Sequence, residues 1–509
     1  MIRMNRALPL GLLVLASASH GVATLSAVGV LPGGSGTATL TGLSSDGSTA
    51  YGNSAGANGF EAFRWRSATG IEGLGDLPGG GFSSFALGSN ADGSVIVGRG
   101  TPSISRGFKW TNGLMTQIAS LQTMTATSDR AQSLSDNGNI LAGWSNSLGN
   151  GQRACRWVGS GLGEILPDLP GGSVFSDALG ISANGQVIVG WSNTAAGREA
   201  AYWNGSTVFA IGDFSGGPVD AYANAASSDG SVIVGRGWDA NSSTAFRWTQ
   251  AGGMQLLGDS SISGLAFNSE AFDVSADGKV VVGRGNMPDF SGAFVWTATT
   301  GMVSVKQLLI NQGVNVANWT FNDARGVSAD GSVIAGNGTF NGQITGFVAR
   351  VDPYFSRITG KIRNFDIDAG SGTYIGSVPP TPVAIQLLQG DTVVETSYPT
   401  IGNHGSYEFT TSLQGTYQIA VLCRPMLRKR SAVLTLSPSW ITDVDFTLAV
   451  GDVDESGEVD AADVDAVIAH FGLVNGDVNW HPLADVDGTG EIDAADIDIV
   501  ISNFGAVDE

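Results

Sequence analysis

The sequence predicts a mainly β protein: a seven-bladed β-propeller, then a β-sandwich, then a small α module. Three observations carry that prediction. A unit of about 45 residues recurs through the first 350 positions, short alternating runs lacking that unit follow, and a duplicated acidic stretch of twelve residues ends the chain. At 509 residues and 42% hydrophobic content the chain has material for several cores. Gly is abundant and charged residues are only 14%, a composition of folded strands joined by tight turns rather than of a disordered polymer.

The N-terminus carries Arg3 and Arg6, an apolar run from Ala7 to Leu15, and the small residues Ala16-Ser17-Ala18. That order describes a secretory signal over residues 1–18, too short to anchor the chain in a bilayer. No later run reaches the ~20 apolar residues of a membrane helix. The mature chain is therefore expected to be secreted or held at the cell surface. The cysteines, Cys155 and Cys423, are too few and too far apart for a disulfide framework, and Cys155 stands where most repeats carry Phe.

A turn dipeptide, Asp-Gly or Asn-Gly, begins at Asp46, Asp92, Asn137, Asn184, Asp229, Asp277 and Asp330, with spacings of 46, 45, 47, 45, 48 and 53. Six residues after each comes a glycine: Gly52, Gly98, Gly143, Gly190, Gly235, Gly283 and Gly336. The dipeptide predicts a two-residue type I′ hairpin, since both positions tolerate positive φ. A third strand carries Trp65, Trp110, Trp157, Trp203, Trp248 or Trp296, and a fourth leads through "DLPGG" or a relative of it into the next unit. Each unit thus reads as a four-stranded meander, the pattern of a propeller blade. The array opens on an orphan fourth-type strand, "TLSAVGVLPGG", and stops after a third, "GFVARVD", so the orphan can complete the last blade over residues 24–351 and remove the open edges.

The motifs "GLGDLPGG", "SVIVGRG" and "AFRW" resemble the HAF-repeat family of extracellular proteins. The resemblance implies an exported repeat protein with no agreed catalytic activity. Strand alternation places the residues after the seven glycines at the rim of one face: Asn53, Arg99, Trp144, Trp191, Arg236, Arg284 and Asn337. Trp, Arg and Asn suit a planar polar ligand such as a sugar, by stacking and forked hydrogen bonds; the competing role is packing between blades. The four histidines are His20, His404, His470 and His481, so the mature ring has none and His-dependent triads are excluded there. Asp76, Asp168, Asp213 and Asp259 recur at one repeat position and are expected to end a strand before a turn, although paired carboxylates would suffice for glycoside hydrolysis.

Residues 354–449 hold seven short alternating runs, among them "ITGKIRN", "VAIQLLQ", "GSYEFTT" and "GTYQIAVLC", which predict a β-sandwich. They resemble the carboxypeptidase-regulatory and Cna-B-like modules, which implies a spacer. The basic run "RPMLRKR", Arg424 to Arg430, reads as a solvated loop; in so acidic a chain it does not imply a nucleic-acid partner.

"DVDESGEVDAAD", Asp452 to Asp463, and "DVDGTGEIDAAD", Asp485 to Asp496, begin 33 residues apart. Oxygen-bearing side chains fall at positions 1, 3, 5, 9 and 12 with glycine at position 6, the spacing that wraps a chain round Ca²⁺. The expected ligands are Asp452, Asp454, Ser456, the carbonyl of Glu458, Asp460 and Asp463 for one ion, and Asp485, Asp487, Thr489, the carbonyl of Glu491, Asp493 and Asp496 for a second. Val459 and Ile492 at position 8 are expected to pair between the loops. Each loop runs into a helix with one apolar stripe, Val464, Val467, Ile468 and Phe471 or Ile497, Val500, Ile501 and Phe504, ended by Gly472 or Gly505. A strand-like run precedes the first loop and Pro482 the second, which argues against the entering helix of a full EF-hand.

A duplicated calcium loop with only an exiting helix resembles a type I dockerin over residues 450–507. The resemblance implies two calcium ions and a cohesin partner, with twofold docking open to the near-duplicate halves. Dockerins often carry hydroxyls at positions 10 and 11, whereas this chain has Ala461-Ala462 and Ala494-Ala495. Residues 450–509 hold sixteen acidic residues and no Lys or Arg, so most of the net charge of −21 belongs to the metal site and needs no basic partner. The resulting expectation is an exported, non-catalytic binding and attachment protein that docks to a cohesin-like partner or the cell envelope. The competing expectations are a polysaccharide-degrading component, hydrolase or lyase, with carboxylates in the propeller, and a structural surface protein.

Overall fold

The structure, a computed structural model, describes residues 23–508 apart from 35, 120, 122–125, 148–150, 241, 259–267, 288–289, 353–355, 364–382, 400–405, 412, 414, 424–425, 437–439, 442 and 488. The signal-like segment, Asp259 and His404 lie outside the described residues, as does the side chain of Cys423.

Among the described residues, seven four-stranded antiparallel sheets follow one another from Thr24 to Arg350. The first comprises Ala38–Leu43, Ala50–Ala55, Phe60–Arg66 and Gly70–Gly73, and the next five repeat this consecutive order. The seventh is built from both ends of the array: Trp319–Val327, Val333–Phe340 and Gln343–Arg350 are completed by Thr24–Ala27, with Thr24 opposite Arg350 and Ala27 opposite Phe347. A circle of backbone hydrogen bonds ties the turns together. Asp46 donates to Ala91, Ala91 to Asp136, Asp136 to Ala183, Asn184 to Ser228, Ser228 to Ala276, Ala276 to Ala329, and Ala329 back to Ser45.

The third strands bury the repeat's large apolar side chains between sheets. Phe63, Phe108, Phe246, Phe294 and Phe347 are fully buried at one repeat position, which Cys155 and Ala201 fill in the other two sheets. Burial pushes the Cys155 thiol up to about 12, so it behaves as a small hydrophobe. The Trp side chains follow two residues on along the same strands, and Trp157 and Trp203 donate their indole N–H to the carbonyls of Ala119 and Pro167.

The hairpins differ from the two-residue type I′ expectation. Ser44 donates its backbone N–H to Thr49, leaving a four-residue loop in which Gly47 donates to Ser44, and only the glycine has positive φ, at 71°. The cause is local side-chain bonding. Ser44 Oγ donates to Asp46 Oδ1, the same oxygen accepts from the N–H of Ser48, and Ser44 Oγ accepts from the N–H of Thr49. The Asp is thereby held in an Asx turn, out of the left-handed region. Type I′ turns do occur where no such serine precedes the pair: Asn112-Gly113 and Asn341-Gly342 both have positive φ.

The glycine six residues on has a separate cause. Each first strand carries a β-bulge opposite it, between Leu40 and Gly42 in the first sheet and between Ala178 and Gly180 in the fourth. A Cβ on Gly52 or Gly190 would collide with the carbonyl oxygen of Thr39 or Asp177. Before the seventh sheet the chain inserts a helix, Val305–Asn311, whose Leu308 and Leu309 are buried; this accounts for the longest spacing in the array.

Beyond the ring, Ser356–Arg363 pairs with Ser406–Thr411 and, in parallel, with Trp440–Ile441, while Ala384–Gln389 lies between Thr392–Ser397 and Gly415–Cys423. The two sheets share one core that includes Ile358, Ile385, Phe409, Ile419 and Phe446. The basic run corrects its expectation: Met426–Arg430 is a strand paired with Gly415–Cys423 rather than a solvated loop. Its alternation sends Leu427, 3% exposed, into the core of the C-terminal module beside Val453, Val467 and Val500.

Candidate functional site

Each acidic loop ends in a helix, Ala461–Ala469 or Ala494–Ser502, and among the described residues no helix leads directly into either loop. Asp460 caps the first helix by accepting from Ala462 N–H at 2.7 Å, while Asp463 Oδ2 accepts from the N–H of Asp460 at 2.8 Å. Asp493 and Asp496 repeat the box with Ala495. Asp463 Oδ1 also accepts from Val453 and Asp454, pulling the start of the loop towards its end. Asp496 Oδ1 does the same with Val486 and Asp487.

These bonds gather Asp452, Asp454 and Asp463 into one cluster and Asp485, Asp487 and Asp496 into another, with one carboxylate oxygen from each within 4.8 Å of the others. Asp452, Asp463 and Asp496 are fully buried. Gly457 and Gly490, with φ of 88° and 89°, turn their N–H groups to Asp452 and Asp485. Ser456 and Thr489 donate to the carbonyls of Glu458 and Glu491, the two backbone oxygens expected to ligate. Asp460 and Asp493 stay outside the carboxylate clusters, committed to their helix N-termini. Val459 and Ile492 share a core, but their backbones do not pair with each other: Val459 pairs with Gly505 and Ala506, and Ile492 with Gly472 and Leu473. Each loop therefore clasps the segment that leaves the opposite helix.

Three carboxylates this close, two of them buried in the first cluster and one in the second, repel one another unless a cation or protons intervene. Burial raises the Asp485 carboxyl above its ordinary value, the N–H of Gly490 opposes the shift, and the charges of Asp496 and Asp487 add to it. Asp496 is raised by burial as well, with Asp487 contributing. Asp485 Oδ1 is buried without a hydrogen-bond partner. A hard divalent cation fits this donor set of carboxylates and carbonyls.

The helical stripes are only half internal. Val467 and Val500 are fully buried, whereas Ile468, Phe471, Ile501 and Phe504 are 53%, 53%, 54% and 57% exposed. The duplication thus presents the same Ile-Phe pair twice on the module's surface.

On the ring, the seven rim residues are engaged in different ways. Asn337 spans the first and last sheets, donating Nδ2–H to the carbonyl of Leu40 and accepting from its N–H at 2.7 Å. Asn53 accepts from Thr39 Oγ1. Arg99 lies over Phe85, and Arg130 lies over Trp144 while its guanidinium contacts Asp177 at 3.1 Å. Trp191, 5% exposed, contacts Phe175 and Tyr222 and carries Arg198 on its face. Arg236 lies over Tyr222, and Arg284 contacts Glu270 at 3.0 Å. Arg236 and Arg284 open onto a common cavity, of about 410 Å³.

The recurrent aspartates hold turns. Asp76 accepts from the N–H groups of Leu77 and Ser83, Asp213 from Phe214, Asp220 and Trp238, and Asp168 meets Ser176 and Arg153. Sequence reasoning missed the central cavity of about 420 Å³, which all seven sheets line. The extra residue of each bulge faces it: Thr41, Leu87, Gln132, Leu179, Asn224, Phe272 and Arg325. Their signal was present as a fixed offset, five residues before each turn dipeptide. Asp273 follows in the same wall and joins two sheets by accepting from the N–H groups of Val274 and Val327. Burial pushes its carboxyl up to about 7 against the pull of those two donors.

Residues 450–505 match the model of the dockerin type I domain. No curated protein matches the chain. Among solved structures it is similar to an N-terminal interface mutant of a type II cohesin–X–dockerin complex from Acetivibrio cellulolyticus, at 19% identity over 30% of this chain and 97% of that chain, TM-score 0.25. It is also similar to the β-propeller domain of Myceliophteria thermophila Cps50, at 12% identity over 61% and 97%, TM-score 0.40. An oligogalacturonate lyase from Vibrio parahaemolyticus follows at 10% identity over 64% and 93%, TM-score 0.41.

Proposed function

We propose that the chain is an exported, modular attachment protein: a seven-bladed propeller over 24–351 that binds a sugar-like polar ligand, a β-sandwich spacer over 354–449, and a dockerin over 450–507 that holds two calcium ions and docks to a cohesin-like partner. The two carboxylate clusters carry this reading, together with the match of that region to the type I dockerin model. Calcium holds each loop, each loop orients its helix through the Asp460 or Asp493 cap, and the helices present Ile468 and Phe471 or Ile501 and Phe504. Exposed apolar pairs on a highly charged module suit a protein partner that covers them. With Ala461-Ala462 and Ala494-Ala495 in place of hydroxyl pairs, recognition leans on these apolar side chains.

The propeller is proposed as a binder rather than a catalyst, because the recurrent aspartates spend their oxygens on turns. No described helix is long and apolar enough to cross a membrane, and retention at the cell surface would rest on the C-terminal module. Capture of a cohesin by the full chain with calcium and after chelation tests the docking reading. Capture unaffected by chelation would sink it. A panel of neutral and charged glycans tests the propeller, and hydrolysis abolished by a single Asp substitution would replace a binder with an enzyme.

A further inference from the structure

The cavity of about 410 Å³ lies between the fifth and sixth sheets and reaches Asn322 of the seventh. Arg236 and Arg284 stand on it together with Glu270, Asn286 and Ser243, and among the described residues no large apolar side chain lines it. Arg284 gives one NH2 to Glu270 and is otherwise half exposed. Arg236 lies over Tyr222, its Cζ 4.7 Å from the ring centroid. Its nearest carboxylate, Asp220, is 3.8 Å away, beyond a hydrogen bond, and its buried Nε has no partner.

Arg284, half exposed, and Arg236 therefore line one polar cavity in a chain of net charge −21. A planar carboxylate matches a guanidinium edge with two parallel bonds. The amides and hydroxyls around the forks suit the hydroxyls of a sugar ring, and the volume suits a ligand of one to three rings. From Arg236 the face continues as a stack of Tyr222, Arg198, Trp191 and Phe175, with Arg198 4.7 Å from the Trp191 ring centroid and 4.6 Å from that of Tyr222. We infer that this cleft binds a carboxylate-bearing saccharide, with Arg236 and Arg284 holding the acid group and the accessible members of the stack, Tyr222, Arg198 and Phe175, supporting the neighbouring residues of the saccharide.

This inference rests on the reading of the propeller as a glycan binder and narrows the ligand to acidic sugars. The test is calorimetry on the full chain with calcium present, using trigalacturonate and its methyl ester, which share the sugar rings and differ in whether each carboxyl is ionised or capped by a methyl group. The acid is expected to bind at least about tenfold more tightly than the ester. R284Q and R236Q are each expected to weaken acid binding about tenfold with unchanged thermal midpoints, and R284K, which keeps the charge without the fork, to fall between. E270Q is expected to tighten it by freeing Arg284. Equal binding of acid and ester, or acid binding indifferent to both arginine substitutions, would overturn the inference. Binding of neutral glycans alone would overturn it while leaving the broader reading in place, and binding of no glycan at all would remove both.

Discussion

The backbone N–H of Ala329 donates to the carbonyl of Ser45 at 2.6 Å, joining the last sheet of the ring to the first. The second closure is Thr24–Ala27 on Gln343–Arg350. Deleting residues 1–33 should therefore expose the edge of Gln343–Arg350. The expected outcome is a lower thermal midpoint and concentration-dependent association by light scattering. A monomer of unchanged midpoint would show that the circle of turn-to-turn bonds closes the ring by itself.

Gly190 faces the carbonyl of Asp177 across a bulge, and a Cβ there has no room, whereas Gly81 has nothing within 4 Å and no positive φ. G190A should cost more than about 2 kcal/mol and G81A less than about 0.5 kcal/mol. Denaturant unfolding measures both.

Asp273 supplies a pH dependence. Its folded value of about 7 lies above the ordinary 3.8, so the native state binds more protons than the unfolded chain between about pH 4 and 7. The stability it contributes is complete below about pH 4 and is lost as pH rises to about 7. D273N is expected to flatten the decline in stability across that window, read from denaturant midpoints at several pH values. A slope equal to that of the unmodified chain would place the titrating group elsewhere.

Leu427 ties the middle module to the C-terminal one, with the N–H of Arg428 donating to Asp508 beside it. L427A should destabilise the C-terminal module by about 2–4 kcal/mol, and the ring hardly at all. Differential hydrogen exchange of residues 450–508 and 24–351 separates the two.

Much of this organisation was legible in the residues. The repeat of turn dipeptides and glycines marked the sheets, and the orphan strand "TLSAVGVLPGG" pointed to the clasp, because both signals are local and repeat. The turn type was misread because side chains around "NG" and "DG" bond the turn into another form: Ser44 captures Asp46 in the first repeat, and Asn90 accepts from the N–H of Val95 in the second. The strand Met426–Arg430 was hidden because its charges alternate with Leu427, whose burial is supplied by another module. The rim residues could be counted but not assigned: Asn337 meets Leu40, 297 positions away, and no pattern within one repeat encodes that contact. The acidic loops were the most legible feature, since all six carboxylates of the two clusters, Asp452, Asp454 and Asp463 with Asp485, Asp487 and Asp496, lie at positions that the spacing named.

Calcium binding by those loops is the claim on which the docking account depends, and isothermal titration of the chelated full chain with calcium tests it most directly. The expected result is two ions per chain, falling to one in D463N and one in D496N, with residues 450–508 becoming protease-resistant as the sites fill. A titration without binding heat, together with equal protease resistance in calcium and in chelator, would contradict it.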